Sequence, residues 1–401
     1  MTAKEKPDAR GHKLLLVTRE FPPGPGGIGT HAFKVAQHLQ ALGWDVTVVS
    51  EQNRASGAEV RAFNAAQPFR VLRIPSLPLG PAKVLFRFLA VFLSLVRVRP
   101  AIVLATHAQM VWFSTILSYG YLRPVVAVGH GSEYRYTEGW RSAITRWAFS
   151  NVAGVINVSE FTAGLMTAAG IRAERQVVIP NGADAEDFGS ATEEQVRQLR
   201  EEYGLTGCKV ILTVGLLSER KGQDIVIRAL PQILAEVPGA RYLIAGMADD
   251  AAVEQRYRAL AAELGVAEAV VFAGRVPQAL LPACYALCDV FTLTSRVSGD
   301  GAVEGYGIVA VEAALCGKPS VVSEGSGLME AILPGETGLS VPQDDPEATA
   351  RALGTLLKDD ALREAMGRAA LAHSTSAQGW KHRIHAYDTF LRGFVALESD
   401  S

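Results

Sequence analysis

Four cysteines are all that 401 residues contain, at positions 208, 284, 288 and 316, and they do not form two pairs at zinc-ligand spacing. Cys284 and Cys288 stand one helical turn apart, which fits small core residues in a reducing compartment. No apolar run is long enough to span a bilayer. The longest, Phe88 to Val96, is interrupted by Ser94 and falls short of the roughly 20 residues a crossing needs. Neither charge sign dominates: the net charge is -2 and the pI about 6.5, which excludes recognition of nucleic acid through a global positive field. There is no Walker-type Gly-Lys-Ser/Thr loop, no Gly-x-Ser-x-Gly elbow, and no Asp-x-Asp pair to hold a divalent cation on a diphosphate. Internal repeats and low-complexity tracts are also missing. Residues 1–12 are polar, and no signal segment is expected there.

What is present is length and apolar content. A chain of 401 residues with 49% apolar residues implies two domains. Short Val/Ile/Leu-rich runs that mostly lack alternation predict buried parallel strands at Lys13–Thr18, Asp45–Ser50, Arg70–Ile74, Ala101–Thr106, Pro124–Gly129, Gly154–Val158 and Gln176–Ile179. Gly27–Leu42 reads as an amphipathic helix. The pattern breaks at the Asn181-Gly182 turn, read as an interdomain hinge, and the polar stretch 184–208 is expected to be a linker with one helix, Glu193–Tyr203. A second alternating block predicts strands at Val210–Val214, Tyr242–Ala245, Val270–Ala273, Val290–Thr294, Ser320–Val322 and Leu339–Val341. Helices are expected at about 222–236, 251–264, 280–287, 306–316 and Gln378–Phe394. Two such blocks imply two doubly wound α/β domains, whose ligands bind beyond the carboxyl ends of the strands.

Chemistry-bearing residues collect at those strand ends. Glu304 and Glu312 bracket the Gly305-Tyr306-Gly307 turn and a helical run. If most of that segment is helical, the carboxylates lie about 10 Å apart with an amide-rich helix start between them. Such a spread suits sugar hydroxyls, a ribose and a diphosphate. Arg220 and Lys221 follow the first strand of the second block, where a cation can neutralise a leaving diphosphate. Gly274-Arg275-Val276-Pro277 ends another strand and offers backbone groups to a base edge. His130 follows an apolar strand and points to a cleft, where a neutral imidazole can bond a sugar hydroxyl, with Glu133 as a helper. The segment Gly24–Gly29 matches Gly-x-Gly-x-x-Gly, with Glu51 about 20 residues on. It opens an alternative reading as an NAD-dependent oxidoreductase, although Arg19–Pro23 intervenes between strand and glycines.

Taken in order, these pieces resemble family 4 of the retaining glycosyltransferases. The carrying residues are Phe21-Pro-Pro with Gly26-Gly27-Ile-Gly29, His130-Gly131, Ser159-Glu-Phe-Thr162, Ile179-Pro-Asn-Gly182, Arg220-Lys221-Gly222, Gly274-Arg-Val276, Glu304 through Glu312, and Ala313 to Pro319. The resemblance implies the GT-B fold. That means two facing Rossmann-like domains (1–183 for the acceptor, 184–375 for the nucleotide-sugar) and a C-terminal helix, 376–401, crossing back to the first. It implies that Glu312 holds the ribose, Glu304 the donor sugar, Lys221 the diphosphate and the amides of Gly307, Ile308 and Val309 the phosphates, with His130 and Gly27 approaching from the first domain.

The expected activity is hexosyl transfer from GDP-mannose or a UDP-hexose to a glycan, lipid-linked or small-molecule hydroxyl, with no obligatory metal or other cofactor and no nucleic-acid partner. The catalytic set is His130, Lys221 and Glu304. Gly27, Arg220, Arg275, Val276, Gly305, Tyr306, Gly307, Ile308, Val309 and Glu312 complete the donor site. Leu216 stands where many members carry a second basic residue, which keeps a non-catalytic sugar-binding relative in view. The expected location is cytoplasmic. Residues 84–99 read either as a helix touching the inner face of the membrane or as a buried helix with arginines at its rim.

Overall fold

The computed structural model describes residues 12–395, apart from 25, 76–79, 136–138, 190, 249 and 300. Contacts divide the chain into two units. The first holds residues up to 158, 162–179 and 380 onward; the second holds Ser159–Phe161 and Pro180–Gly379. The division therefore falls after Ile179 and after Gly379, against the expected 183/184 and 375/376.

Unit 1 is built on seven parallel strands, β1 (Lys13–Val17), β2 (Asp45–Ser50), β3 (Arg70–Arg73), β4 (Ile102–Thr106), β5 (Val125–Gly129), β6 (Gly154–Asn157) and β7 (Gln176–Val178), in the order β3-β2-β1-β4-β5-β6-β7. Leu14 pairs with Val46 on one side and Ile102 on the other. Every residue of β4 and β5 is buried, which is why these runs carry no polar alternation. The connecting helices are α1 (Gly27–Ala41), α2 (Gly57–Ala65), α3 (Gly80–Val98), α4 (Ala108–Tyr121), α5 (Gly139–Ser150) and α6 (Glu160–Ala168).

The last helix, Trp380–Val395, belongs to this unit. It packs on α1, where the Tyr387 hydroxyl shares a 2.9 Å hydrogen bond with His31 Nε2, and Trp44 Nε1 donates to Asp388 at 2.7 Å. Gly154 makes room for it: a Cβ there would stand 2.7 Å from the Phe394 ring.

Unit 2 carries six parallel strands, β8 (Lys209–Val214), β9 (Ala240–Ala245), β10 (Val270–Gly274), β11 (Val290–Leu293), β12 (Ser320–Ser323) and β13 (Gly338–Val341), in the order β10-β9-β8-β11-β12-β13. Its helices are α7 (Ala185–Phe188), α8 (Glu193–Glu202), α9 (Gln223–Glu236), α10 (Ala251–Glu263), α11 (Leu281–Leu287), α12 (Ile308–Leu315), α13 (Pro346–Lys358) and α14 (Asp360–Ala377).

Two expectations need correcting. The stretch 184–208 is not a free linker. It forms α7 and α8, and α8 docks on α11 with Leu199 buried and Arg200 donating to the Leu287 carbonyl at 2.5 Å. The strongly polar composition of α8 masked that single apolar anchor. The helices α13 and α14 had no counterpart in the sequence reading. They bury an Ala- and Leu-based face against the sheet and α9.

Candidate active site

In both sheets the strand order reverses next to the first strand of the unit, and the crevice at such a switch point is the standing ligand position of doubly wound sheets. In unit 2 the switch lies between β8 and β11. The chain leaves β8 through Gly215, turns at a short 3-10 helix, Glu219–Lys221, and enters α9 at Gly222 with φ of 68°. A Cβ at Gly222 would stand 2.0 Å from the Thr294 carbonyl oxygen just beyond β11. The Thr294 hydroxyl donates to the Gly222 carbonyl at 2.7 Å, and the Arg296 amide donates to the Arg220 carbonyl at 2.9 Å. The loops after the two switch strands are thus sewn together, and glycine is required where they meet.

That seam brings three predicted site residues to one point. Lys221 Nζ donates to Glu304 Oε2 at 2.6 Å, and Arg220 Nη1 donates to the same oxygen at 2.7 Å. The three side chains are largely withdrawn from water, Lys221 and Glu304 most of all. Burial by itself raises the Glu304 carboxyl. The two cations outweigh it and hold the group down to about 2, so it is ionised near pH 7. Burial draws Lys221 below the ordinary lysine range, and Glu304 opposes that fall. Leu216 is half-buried, and its carbonyl accepts from Gln223 at 3.1 Å.

Glu304 lies in coil, not on the helix. The turn Gly305–Gly307 follows, and α12 begins only at Ile308. Two glycines explain the break. Gly307 has φ of 87°, and a Cβ there would press within 2.3 Å of Leu328. The Gly305 carbonyl is packed against Gly327 and accepts from the Ser159 hydroxyl at 2.6 Å, which accounts for the Ser159 motif. The first amides of α12, at Ile308 and Val309, have no intrahelical acceptor by helix geometry. They open toward the turn that carries Glu304. The Tyr306 ring is buried, and its hydroxyl accepts from Gln378 Nε2 at 3.5 Å. Tyr306 therefore anchors the turn through its side chain.

Glu312 sits on α12 and accepts a 2.6 Å hydrogen bond at Oε2 from Tyr285 of α11. Tyr285 is fully buried and its hydroxyl is pushed well above the ordinary phenol value by burial and then by Glu312, so it remains a donor. The sequence reading missed Tyr285. Its only signal is a polar tip on an otherwise apolar core helix. Arg275 is exposed and Val276 half-buried just past Gly274, which ends β10 with φ of 63°.

In unit 1 the switch lies between β1 and β4. Thr106 ends β4 and its hydroxyl shares a 2.7 Å hydrogen bond with His130 Nε2, one residue past β5. The His31 ring stands edge-on to His130 at 4.9 Å. Burial pushes His130 down to about 4, so it is a neutral imidazole near pH 7. Glu133 is buried beneath it and accepts the His130 amide at 2.5 Å. Burial raises its carboxyl to about 7 against the pull of three backbone amides. Gly27 opens α1, is exposed, and has nothing within 4 Å of a built Cβ, so a ligand can approach its backbone.

The oxidoreductase alternative is not supported. Glu51, its ribose-binding candidate, is buried in a bidentate ion pair with Arg87 at 2.5 and 2.9 Å. Among the described residues no group of three or more His, Cys, Asp or Glu stands together as a metal site. All four cysteines are free. Burial pushes the Cys284, Cys288 and Cys316 thiols up to about 12, as inert core residues require.

Two parallel-sheet units, one with two cations and a carboxylate at its switch point beside a glycine-started helix, define a glycosyltransferase of the GT-B class that uses a nucleotide-sugar. The comparisons agree. Residues 25–187 match the model of Glycosyltransferase Family 4, and residues 195–373 that of Glycosyl transferases group 1. The chain is 33% identical over 389 residues to the GDP-mannose-dependent alpha-(1-6)-phosphatidylinositol monomannoside mannosyltransferase of Mycolicibacterium smegmatis, covering 92% of this chain and 96% of that one. It is 29% identical to a GDP-mannose-dependent monoacylated alpha-(1-6)-phosphatidylinositol monomannoside mannosyltransferase of Corynebacterium glutamicum, over 92% and 95% of the two chains. Anabaena Alr3699/HepE, crystallised with UDP and glucose, shares the fold with a TM-score of 0.82 at 22% identity, over 95% of this chain and 100% of that one. This chain belongs to glycosyltransferase family 4.

Proposed function

We propose that this enzyme transfers a mannosyl group from GDP-mannose to a hydroxyl of a lipid-linked polyol or glycan, with retention at the anomeric carbon. The observation that carries this reading is the meeting of Lys221, Arg220 and Glu304 at the switch point of unit 2. The choice of GDP-mannose and of a lipid-linked acceptor rests on what the full-length relatives are named for.

In the proposed complex Lys221 and Arg220 exchange part of their contact with Glu304 for the donor diphosphate, and Glu304 turns to hydroxyls of the sugar. Glu312 takes the ribose, the amides of Gly307, Ile308 and Val309 take phosphate oxygens, and the backbone at Arg275–Val276 takes the base edge. His130, neutral, bonds a hydroxyl of the transferred sugar. The bond from C1 to the phosphate oxygen breaks while the acceptor oxygen bonds C1 on the same face. The acceptor's proton passes to the departing phosphate oxygen. Lys221, Arg220 and the helix start stabilise the charge that grows there, and no obligatory metal is invoked for that task.

We place the acceptor end at a membrane surface. No described helix is long and apolar enough to cross one, and a peripheral contact at the inner face through residues 84–99 is the proposed mode.

The test is thermal unfolding with UDP-, GDP-, ADP- and TDP-sugars, followed by a transfer assay with the ligand that binds. A ligand held only by the folded state raises the midpoint by mass action. GDP-mannose is expected to give the largest rise. A rise with a UDP-hexose and none with GDP-mannose would overturn the donor assignment.

A further inference from the structure

His31 is a buried titratable side chain that the proposed transfer does not use. It lies on α1, beyond Gly27, and only 1% of it is exposed. Its Nε2 shares the 2.9 Å hydrogen bond with the hydroxyl of Tyr387, itself fully buried on the last helix. Its Nδ1 is buried with no hydrogen-bond partner among the described residues. The rings of Trp380, Tyr387 and His130 stand around it, with centroids at 5.7, 6.0 and 4.9 Å. Burial first, and His130 second, hold its imidazole well below the ordinary value. Burial also raises the Tyr387 phenol, so both groups are neutral near pH 7.

Stability does not account for this arrangement. A buried polar atom without a partner costs the folded state free energy. Replacing both partners of a buried hydrogen bond by apolar groups of similar shape is close to neutral, or stabilising. A leucine and a phenylalanine would therefore serve the packing of the last helix on α1 at least as well. What the imidazole touches besides that helix is His130, the residue of unit 1 that the proposed mechanism brings to the sugar.

His130 is half-buried and tied at two points. Its Nε2 shares the 2.7 Å bond with the Thr106 hydroxyl, and its amide donates to Glu133 at 2.5 Å. A ring fixed at two points can still tilt about the line between them. The His31 ring stands at 84° to it and blocks that tilt. His31 in turn cannot swing while Tyr387 holds its Nε2. With Nε2 of His130 engaged by Thr106, Nδ1 is the nitrogen left for a sugar hydroxyl. The plane of the ring decides where that nitrogen points.

Resting on the role proposed for His130, we infer that His31 is a positioning residue for it. Tyr387 anchors His31, so the seating of the last helix on α1 sets the aim of the imidazole that meets the sugar.

The experiment follows hydrolysis of GDP-mannose by the full chain. His31→Leu/Tyr387→Phe removes the polar pair and the perpendicular ring together. Its kcat is expected to fall about tenfold, with the donor KM within about twofold of wild type because the nucleotide is held by unit 2. Its Tm is expected to lie within about 4 °C of wild type, or above it. His31→Gln is the second variant: its amide can reach Tyr387 but sets no ring against His130. The same fall in kcat is expected. In a His130→Ala background either change is expected to alter kcat less than about twofold, since a residue that acts through another has no effect once that other is absent.

If His130→Ala is impaired and both His31 variants keep wild-type kcat, the inference falls alone. If His130→Ala keeps wild-type kcat, the role proposed for His130 falls and the inference with it. A tenfold loss that persists in the His130→Ala background shows that His31 acts elsewhere, and overturns the inference. A fall in Tm of about 10 °C or more in the apolar pair makes His31 and Tyr387 a structural pair, and overturns it as well.

Discussion

Tyr285 donates its hydroxyl to Oε2 of Glu312 at 2.6 Å, across 27 residues of chain, and both side chains are buried. The bond occupies one carboxylate oxygen and fixes the plane of the other. If Glu312 holds the ribose, Tyr285 is the residue that aims it.

Tyr285→Phe removes that donor without changing the packing of the ring. A hydrogen bond to a charged group contributes roughly 1.5–3 kcal/mol. The donor KM is therefore expected to rise about tenfold or more with kcat within about twofold of wild type. Tyr285→Phe is also expected to lose most of the preference for GDP over a 2′,3′-dideoxy analogue in calorimetry. A variant that falls in kcat at unchanged KM, or keeps its ribose preference, would show that Tyr285 is only a core residue.

In the proposed mechanism Lys221 faces the opposite demand, because the charge it would meet grows during bond breaking. Lys221→Ala is expected to lower turnover at saturating donor about 100-fold, roughly 3 kcal/mol of transition-state stabilisation. Arg220 remains beside Glu304 in that variant, so the fold is expected to persist, which circular dichroism checks. Wild-type turnover at saturating donor would remove Lys221 from the chemistry.

Most of the fold was legible because buried parallel strands leave the same mark wherever they occur. All thirteen strands, from Lys13–Val17 to Gly338–Val341, lie on the runs of branched aliphatic residues that predict them. Helices α13 and α14 were not read: no chemistry-bearing residue points to them, and although α13 buries a clear apolar face, α14 is only weakly patterned. The site was legible as a set of loops at strand ends. The direct bonds of Lys221 and Arg220 to Glu304 were not, because they depend on β8 and β11 being neighbours, a pairing across about 80 residues that no local pattern encodes. Tyr285 was invisible for the same reason. The helix after Glu304 was expected from about 306, whereas the left-handed backbone of Gly307 delays its start to Ile308.

Gly222 tests the seam itself. Its φ of 68° and the 2.0 Å approach of the Thr294 carbonyl leave no room for a methyl group. Gly222→Ala is expected to cost about 3 kcal/mol. For a unit of this size that corresponds to a fall of roughly 6–12 °C in Tm. Gly265→Ala is the control: the same left-handed backbone, φ of 70°, with nothing within 4 Å of the added carbon. It is expected to lose clearly less, and equal losses in the two variants would mean that backbone strain alone, not the loop seam, sets the cost.

Glu133 links unit 1 to pH with a definite sign. Its carboxyl is raised from 4.5 to about 7 by burial, so the unfolded chain ionises before the folded one. Its contribution to stability is full below about pH 4.5 and is lost as the pH rises toward 7. The span of two and a half pH decades, at about 1.4 kcal/mol each, makes roughly 3 kcal/mol the upper figure. The buried His31, His107 and His130 act in the other direction, since all three are lowered and favour the unfolded chain as the pH falls below 6.5. Glu133→Gln keeps an acceptor for the His130 amide and removes only the ionisation. Its stability relative to wild type is expected to be flat below pH 4.5 and to climb through pH 5–7, reaching a gain of up to about 3 kcal/mol by pH 8 in denaturant unfolding. The histidines are common to both proteins and cancel in that difference. A difference independent of pH would mean that Glu133 titrates as an ordinary carboxylate, and the cost of burying its charge beneath His130 would be lost with it.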